Sequence, residues 1–234
     1  MYFGVFDPTF IILIPAMIFA FYAQTKVSRA YNNYAKVGNR RGVTGAQAAR
    51  TILDANGLSD IPIEITAGRL SDHYDPKQRV MRLSQKVYND ASIASVAIAA
   101  HESGHAIQHG QNYMPLKLRN LIATPVSLVS WLSWPLLIGG IIIIQMGYYS
   151  QGNLIFNIGI FAFVGVVIFH SVTLPVEFNA SKRAITLLVD QGIIYPEEAG
   201  GAKKVLSAAA MTYLAALAVA VANLIRLLVI RGRN

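Results

Sequence analysis

Four apolar runs constrain this chain more than any other feature. They cover about Pro8–Gln24 (PTFIILIPAMIFAFYAQ), Leu121–Gly147, Leu154–Thr173 and Val205–Ile230. A helix needs ~20 consecutive apolar residues to cross a ~30 Å hydrocarbon core, and it satisfies its own backbone while doing so. The second and third runs meet that length. The first is shorter and carries Pro15 as a point of kinking, and the fourth is alanine-rich with soft edges. Composition agrees: 54% of residues are hydrophobic and 14% are charged, against roughly 25% charged in a soluble domain. The expected fold class is α+β, a mainly α-helical polytopic membrane protein with about four transmembrane helices and one small α+β domain.

The formal charge is +8, and its placement gives an orientation. Thr25–Asn120 holds 13 of the 20 Lys/Arg, with Lys26, Arg29, Lys36, Arg40, Arg41 and Arg50 at its start. The N-terminal tip MYFGVFDPTF has no Lys or Arg, and so lacks the basic region of a cleavable signal peptide. The positive-inside rule then places the N-terminus outside and residues 25–120 in the cytoplasm. Tyr148–Asn153 is uncharged and suits an outside turn. Residues 174–204 return to the cytoplasm with Lys182, Arg183, Lys203 and Lys204, and the last run leaves Arg231 and Arg233 outside, against the rule. The expected divisions are helices over 8–24, 121–147, 154–173 and 205–230, with cytoplasmic parts at 25–120 and 174–204. There is no cysteine, which excludes disulfides, thiolate metal sites and a cysteine nucleophile. Topology accounts for the basic residues, and no aromatic–basic pattern points to nucleic acid.

Within 25–120, GAQAARTILDAN (Gly45–Asn56) has helical spacing and stops at Gly57, while Ile61–Thr66 and Arg79–Leu83 alternate like strands. Between them AGRLSDHYDPKQ reads as turn, with His73 and Tyr74 as candidates to steady a substrate or an oxyanion. Asp90 or Ser92 can cap a helix running to His109.

That helix carries AHESGHAIQH. His101-Glu102-Ser103-Gly104-His105 fits H-E-x-x-H, for which five His and five Glu give roughly 0.002 accidental matches. Residues four apart share a helix face, so two imidazoles can reach one Zn²⁺ while Glu102 serves as base to its water. A catalytic zinc takes a third protein ligand. His109 lies about 80° around from His101 at ~100° per residue, awkward for a straight helix. Glu177, in PVEFNASKRA, is the better candidate, because a transmembrane hairpin returns the chain to the side it left. The alternative for Glu177 is an interfacial ion pair with Lys182 or Arg183. His170, seven residues earlier, is costly in lipid and is a candidate near the site, although Pro175 interrupts the helix between them.

AHESGHAIQ, LPVEFNASKRA and SDHYDPKQRVMRLS, with GAQAARTILDANGL and AAAMTYLAA, resemble the YugP-like neutral zinc membrane metallopeptidases over nearly the whole chain. The arrangement is similar to HtpX-like and CAAX-processing membrane gluzincins, in which a glutamate in an E-x-x-x-D setting is the third ligand. The resemblance implies a zincin-like domain at 25–120 in a bacterial cell membrane, Zn²⁺ held by His101, His105 and Glu177, and Glu102 as base. Ser181 stands where the wider group has Asp and could bond a ligand imidazole more weakly. The expected activity is hydrolysis of peptide bonds near the cytoplasmic membrane surface, with the bilayer and a membrane-associated protein or peptide as partners. Two alternatives are a catalytically silent metal-binding scaffold and a site-2-type intramembrane protease. Retention of Glu102 argues against the first. The eight-residue apolar run Ile93–Ala100 is too short for the second.

Overall fold

The computed structural model describes residues 8–232; residues 1–7 of the Lys/Arg-free tip read as external, and Arg233, lie outside them. The chain is α1 (Ile14–Tyr34), α2 (Gly45–Ala55), β1 (Ile63–Thr66), β2 (His73–Asp75), β3 (Val80–Ser84), α3 (Gln85–Asn89), α4 (Ile93–Gly110), α5 (Met114–Gln145), α6 (Tyr149–Asp190) and α7 (Ala199–Gly232). It divides into two compact units.

One unit comprises residues 8–22, 118–174 and 213–232. Its backbones pack closely where side chains are absent. A Cβ on Gly140 would lie 2.7 Å from the Phe156 nitrogen, and one on Gly152 2.7 Å from the Ile144 nitrogen. Small residues at such contacts let helices approach without a hydrophobic driving force between them. Leu137, Phe156, Ile160, Phe163, Leu227 and Ile230 form its core. Arg226 donates from Nε to Thr9 Oγ1 at 3.1 Å and lies over the Phe10 ring.

Among the described residues three helices are long and apolar enough to cross a membrane: Met114–Gln145, Tyr149–Asp190 and Pro196–Gly232. The first apolar run does not join them. It opens as a 3-10 helix at Pro8–Ile12, and α1 then carries on through Lys26 and Arg29 to Tyr34, so charge dilutes it. Pro15 sits in the first turn of α1, where its missing N–H costs nothing, and starts the helix rather than kinking it. The turn between α5 and α6 is shorter than 148–153, occupying only 146–148. Pro175 does not interrupt α6, which is continuous over 42 residues. A proline in a helix in water costs ~3 kcal/mol, but long apolar helices tolerate one when neighbours satisfy the freed carbonyl.

The other unit comprises residues 23–117 and 175–212. α2 begins with a capping box, in which Gln47 N–H donates to Thr44 Oγ1 and Thr44 N–H to Gln47 Oε1. It buries Ala48, Ala49, Ile52 and Leu53 in one core with α4. Full burial of Ile52 and Leu53 contributes about 1.5–3 kcal/mol each. The sheet has order β1-β3-β2, with β1 parallel and β2 antiparallel to β3. The turn-rich stretch is thus not all turn: His73–Asp75 forms an edge strand, too short for its own alternation to be read. Ser92 caps α4, its Oγ accepting the Ser95 N–H at 3.1 Å. α4 lies in the core of this unit and is not one of the helices long and apolar enough to cross a membrane.

Candidate metal centre

α4 and the second half of α6 build the site. At Gly104 the two helices nearly touch: a Cβ there would lie 3.0 Å from the Ala180 oxygen and 3.2 Å from its Cα. This contact carries Glu177 and Ser181, each within a turn of Ala180, to the face of α4 that holds His101 and His105. A methyl at 104 gains ~1 kcal/mol of helix propensity but overpacks a backbone contact at about 1–3 kcal/mol. Gly104→Ala is therefore expected to push the helices apart and weaken zinc binding about tenfold, read by competition with a chromophoric chelator.

Three candidate donor atoms stand close together. His101 Nε2 is 3.2 Å from His105 Nε2. Glu177 Oε2 is 3.3 Å from the first and 3.6 Å from the second. Donors ~2.0–2.2 Å from one tetrahedral centre are separated by roughly 3.3–3.6 Å, so these three edges match one zinc to within about 0.1 Å. Glu177 is 2% exposed, and its Oε2 makes no hydrogen bond despite both imidazoles beside it. A buried carboxylate oxygen in that condition fits a donor aimed at a metal. Both histidine side chains keep slight exposure, 14% and 13%, which leaves an open side for water or substrate.

The far ring nitrogens are held as well. Gln108, fully buried, donates from Nε2 to Val176 O and to Asn179 Oδ1, both at 2.9 Å. Its Oε1 must then accept from His105 Nδ1 at 3.0 Å, which leaves the His105 Nε2 lone pair for a metal. Ser181 Oγ lies 3.2 Å from His101 Nδ1. Arg183 donates to Asn179 Oδ1 and to Gln111 Oε1, so it braces this network rather than pairing with Glu177.

Glu102 is buried beside the histidines, and Tyr74 donates its backbone N–H to Glu102 Oε2 at 3.1 Å. Burial pushes the Glu102 carboxyl above its usual range, with the two imidazoles acting against that rise. Tyr74 and His109 face each other, phenolic oxygen to Nδ1 at 2.9 Å. His109 is not in the three-residue cluster. His73 is exposed, its Nδ1 2.8 Å from Ser71 O. His170 lies on α6 with its ring against Phe169. An open cavity of about 800 Å³, lined among others by Tyr31, Lys36, Arg69 and Lys86, includes none of these groups.

Sequence reasoning passed over Gly104, Gln108, Asn179 and the Tyr74 N–H. Gln108 had a signal, lying three residues from His105 on the same helical face. The other three depend on which element packs opposite.

Comparison with known proteins gives the chain a family. The family model described as "Putative neutral zinc metallopeptidase" matches residues 9–232. The chain belongs to that family. A relative from Bacillus subtilis (strain 168), named "Putative membrane protease YugP", is 46% identical over 223 residues, which are 94% of this chain and 96% of the relative. No solved structure matches the chain.

Proposed function

We propose that this chain is a membrane-embedded zinc metalloendopeptidase that hydrolyses peptide bonds near the cytoplasmic membrane surface. The observation that carries this reading is the set of three donors at 3.2, 3.3 and 3.6 Å with a buried carboxylate beside them. His101, His105 and Glu177 hold the metal in this reading. Zinc in such a site polarises a peptide carbonyl and lowers the pKa of water to ~7. Glu102 takes a proton from the attacking water and passes it to the leaving amine, a role suited to a carboxyl raised by burial. Gln108 and Ser181 hold the imidazoles in register, and the Tyr74 N–H orients Glu102.

The membrane reading has its own support. Exposed large apolar residues concentrate in the unit of 8–22, 118–174 and 213–232, including Trp131, Phe161 and Ile225. Phe10, Ile11, Ile14, Met17, Ile18 and Phe21 form an exposed stripe on the first segment, which argues for a fourth, shorter membrane segment there. The basic residues after it favour a cytoplasmic 25–120. Glu177 follows that unit by only three residues, which favours substrates at or near the bilayer.

One preparation tests activity, metal and sidedness together. Inverted vesicles are expected to cleave an added casein-type substrate, to stop on addition of a membrane-impermeant chelator, and to resume with Zn²⁺. Sealed right-side-out vesicles are expected to leave it intact. No chelator-sensitive cleavage in either orientation overturns the peptidase, and cleavage only in right-side-out vesicles overturns the orientation.

A further inference from the structure

Tyr74 holds α4 at two points. Its N–H donates to Glu102 Oε2, and its phenolic oxygen lies 2.9 Å from His109 Nδ1. Residues 102 and 109 are seven apart, hence on one face and ~10 Å apart along the axis. One tyrosine therefore bridges two helical turns, touching the proposed base with its backbone and the helix end with its ring.

The strand that carries it is short, tied beyond its ladder by Asp72, which accepts from the Ser84 N–H at 2.7 Å, and by an Asp75–Arg82 pair at 3.7 Å. β2 is three residues long and pairs with β3 on one side. Leu70 before it (φ 55) and Arg79 after it (φ 53) are left-handed, as is Gly68 (φ 101). A short edge strand between such bends is among the first elements to open locally. Opening would carry the Tyr74 N–H away from Glu102.

We propose that His109 is a positioning residue. Through the Tyr74 hydroxyl it keeps β2 closed on α4, and so keeps the backbone donor on Glu102. With one carboxylate oxygen pinned, the other is aimed. This rests on the reading of Glu102 as the proton acceptor, but the contact itself can be measured without catalysis.

The test uses the full-length, zinc-loaded protein in detergent with Tyr74→Phe, His109→Leu, the double variant and His109→Asn. Amide hydrogen exchange across 71–79 is followed alongside kcat, KM and bound zinc. Each single variant is expected to speed exchange at residue 74 about tenfold and lower kcat about tenfold, with KM and zinc content unchanged. The double variant is expected to be no worse than either single, because both remove the same contact. His109→Asn, whose side-chain amide lies close to the place of Nδ1, is expected to restore both readouts. Unchanged exchange at residue 74 in both singles overturns the proposal, as does full additivity in the double variant. Loss of zinc in His109→Leu overturns it too, since it would make His109 a ligand. A wild-type protein without peptidase activity counts against the peptidase, while exchange still decides the bridge.

Discussion

Glu102→Gln is expected to keep its zinc and lose its peptidase activity by about 10³-fold, within the ~10²–10⁴-fold range of a general base. The substitution changes little else. The amide keeps the shape and an oxygen that can accept the Tyr74 N–H, so the contact at 3.1 Å survives. It also removes a buried ionisable group whose charged form burial disfavours, so folding stability is not reduced. What goes is the capacity to accept a proton. Bound zinc by elemental analysis, with kcat on a casein-type substrate, separates the two properties. Full activity in Glu102→Gln would sink the mechanism, and loss of zinc would make Glu102 a structural part of the metal site.

That separation was available from the sequence because its parts are local. His101 and His105 are four apart on a helix whose cap, Ser92, and apolar approach are also local, so backbone geometry alone brings two nitrogens to 3.2 Å. Glu177 was legible for a different reason: few glutamates exist, and a chain that makes a hairpin comes back. The misses share a cause. β2 owes its existence to β3, since three residues have no periodicity of their own. Pro175 reads as a break because propensity says so, yet the neighbours of a long apolar helix absorb it. The first apolar run was bounded at Gln24 by polarity, whereas the helix propagates to Tyr34 regardless. Gly104 is unremarked in H-E-x-x-H, where its position is a free one. Its importance comes from Ala180, 76 residues on in another helix.

The close contact also means that the third donor is held by packing as well as by charge, and this gives the second large effect. Glu177→Ala is expected to weaken zinc binding by about 10³-fold, beyond the ~10–100-fold of residues that only support a ligand, such as Gln108. Stability should fall both with and without metal, and further with it. In the metal-free protein Glu177 is a buried carboxylate whose Oε2 lies 3.3 and 3.6 Å from the two imidazole nitrogens, so its removal strips those imidazoles of their acidic partner and should lower Tm. Zinc at 100 times its Kd adds about 2.7 kcal/mol to a protein that binds only when folded, and the variant forfeits that increment. The expected result is a zinc-dependent rise in Tm for the wild type, a lower starting point with no rise for Glu177→Ala, and a preserved rise for His109→Leu. The reverse pattern, zinc kept in Glu177→Ala and lost in His109→Leu, would move the third ligand to α4. The helix would then have to bend to bring three histidines, spaced four apart, onto one ion.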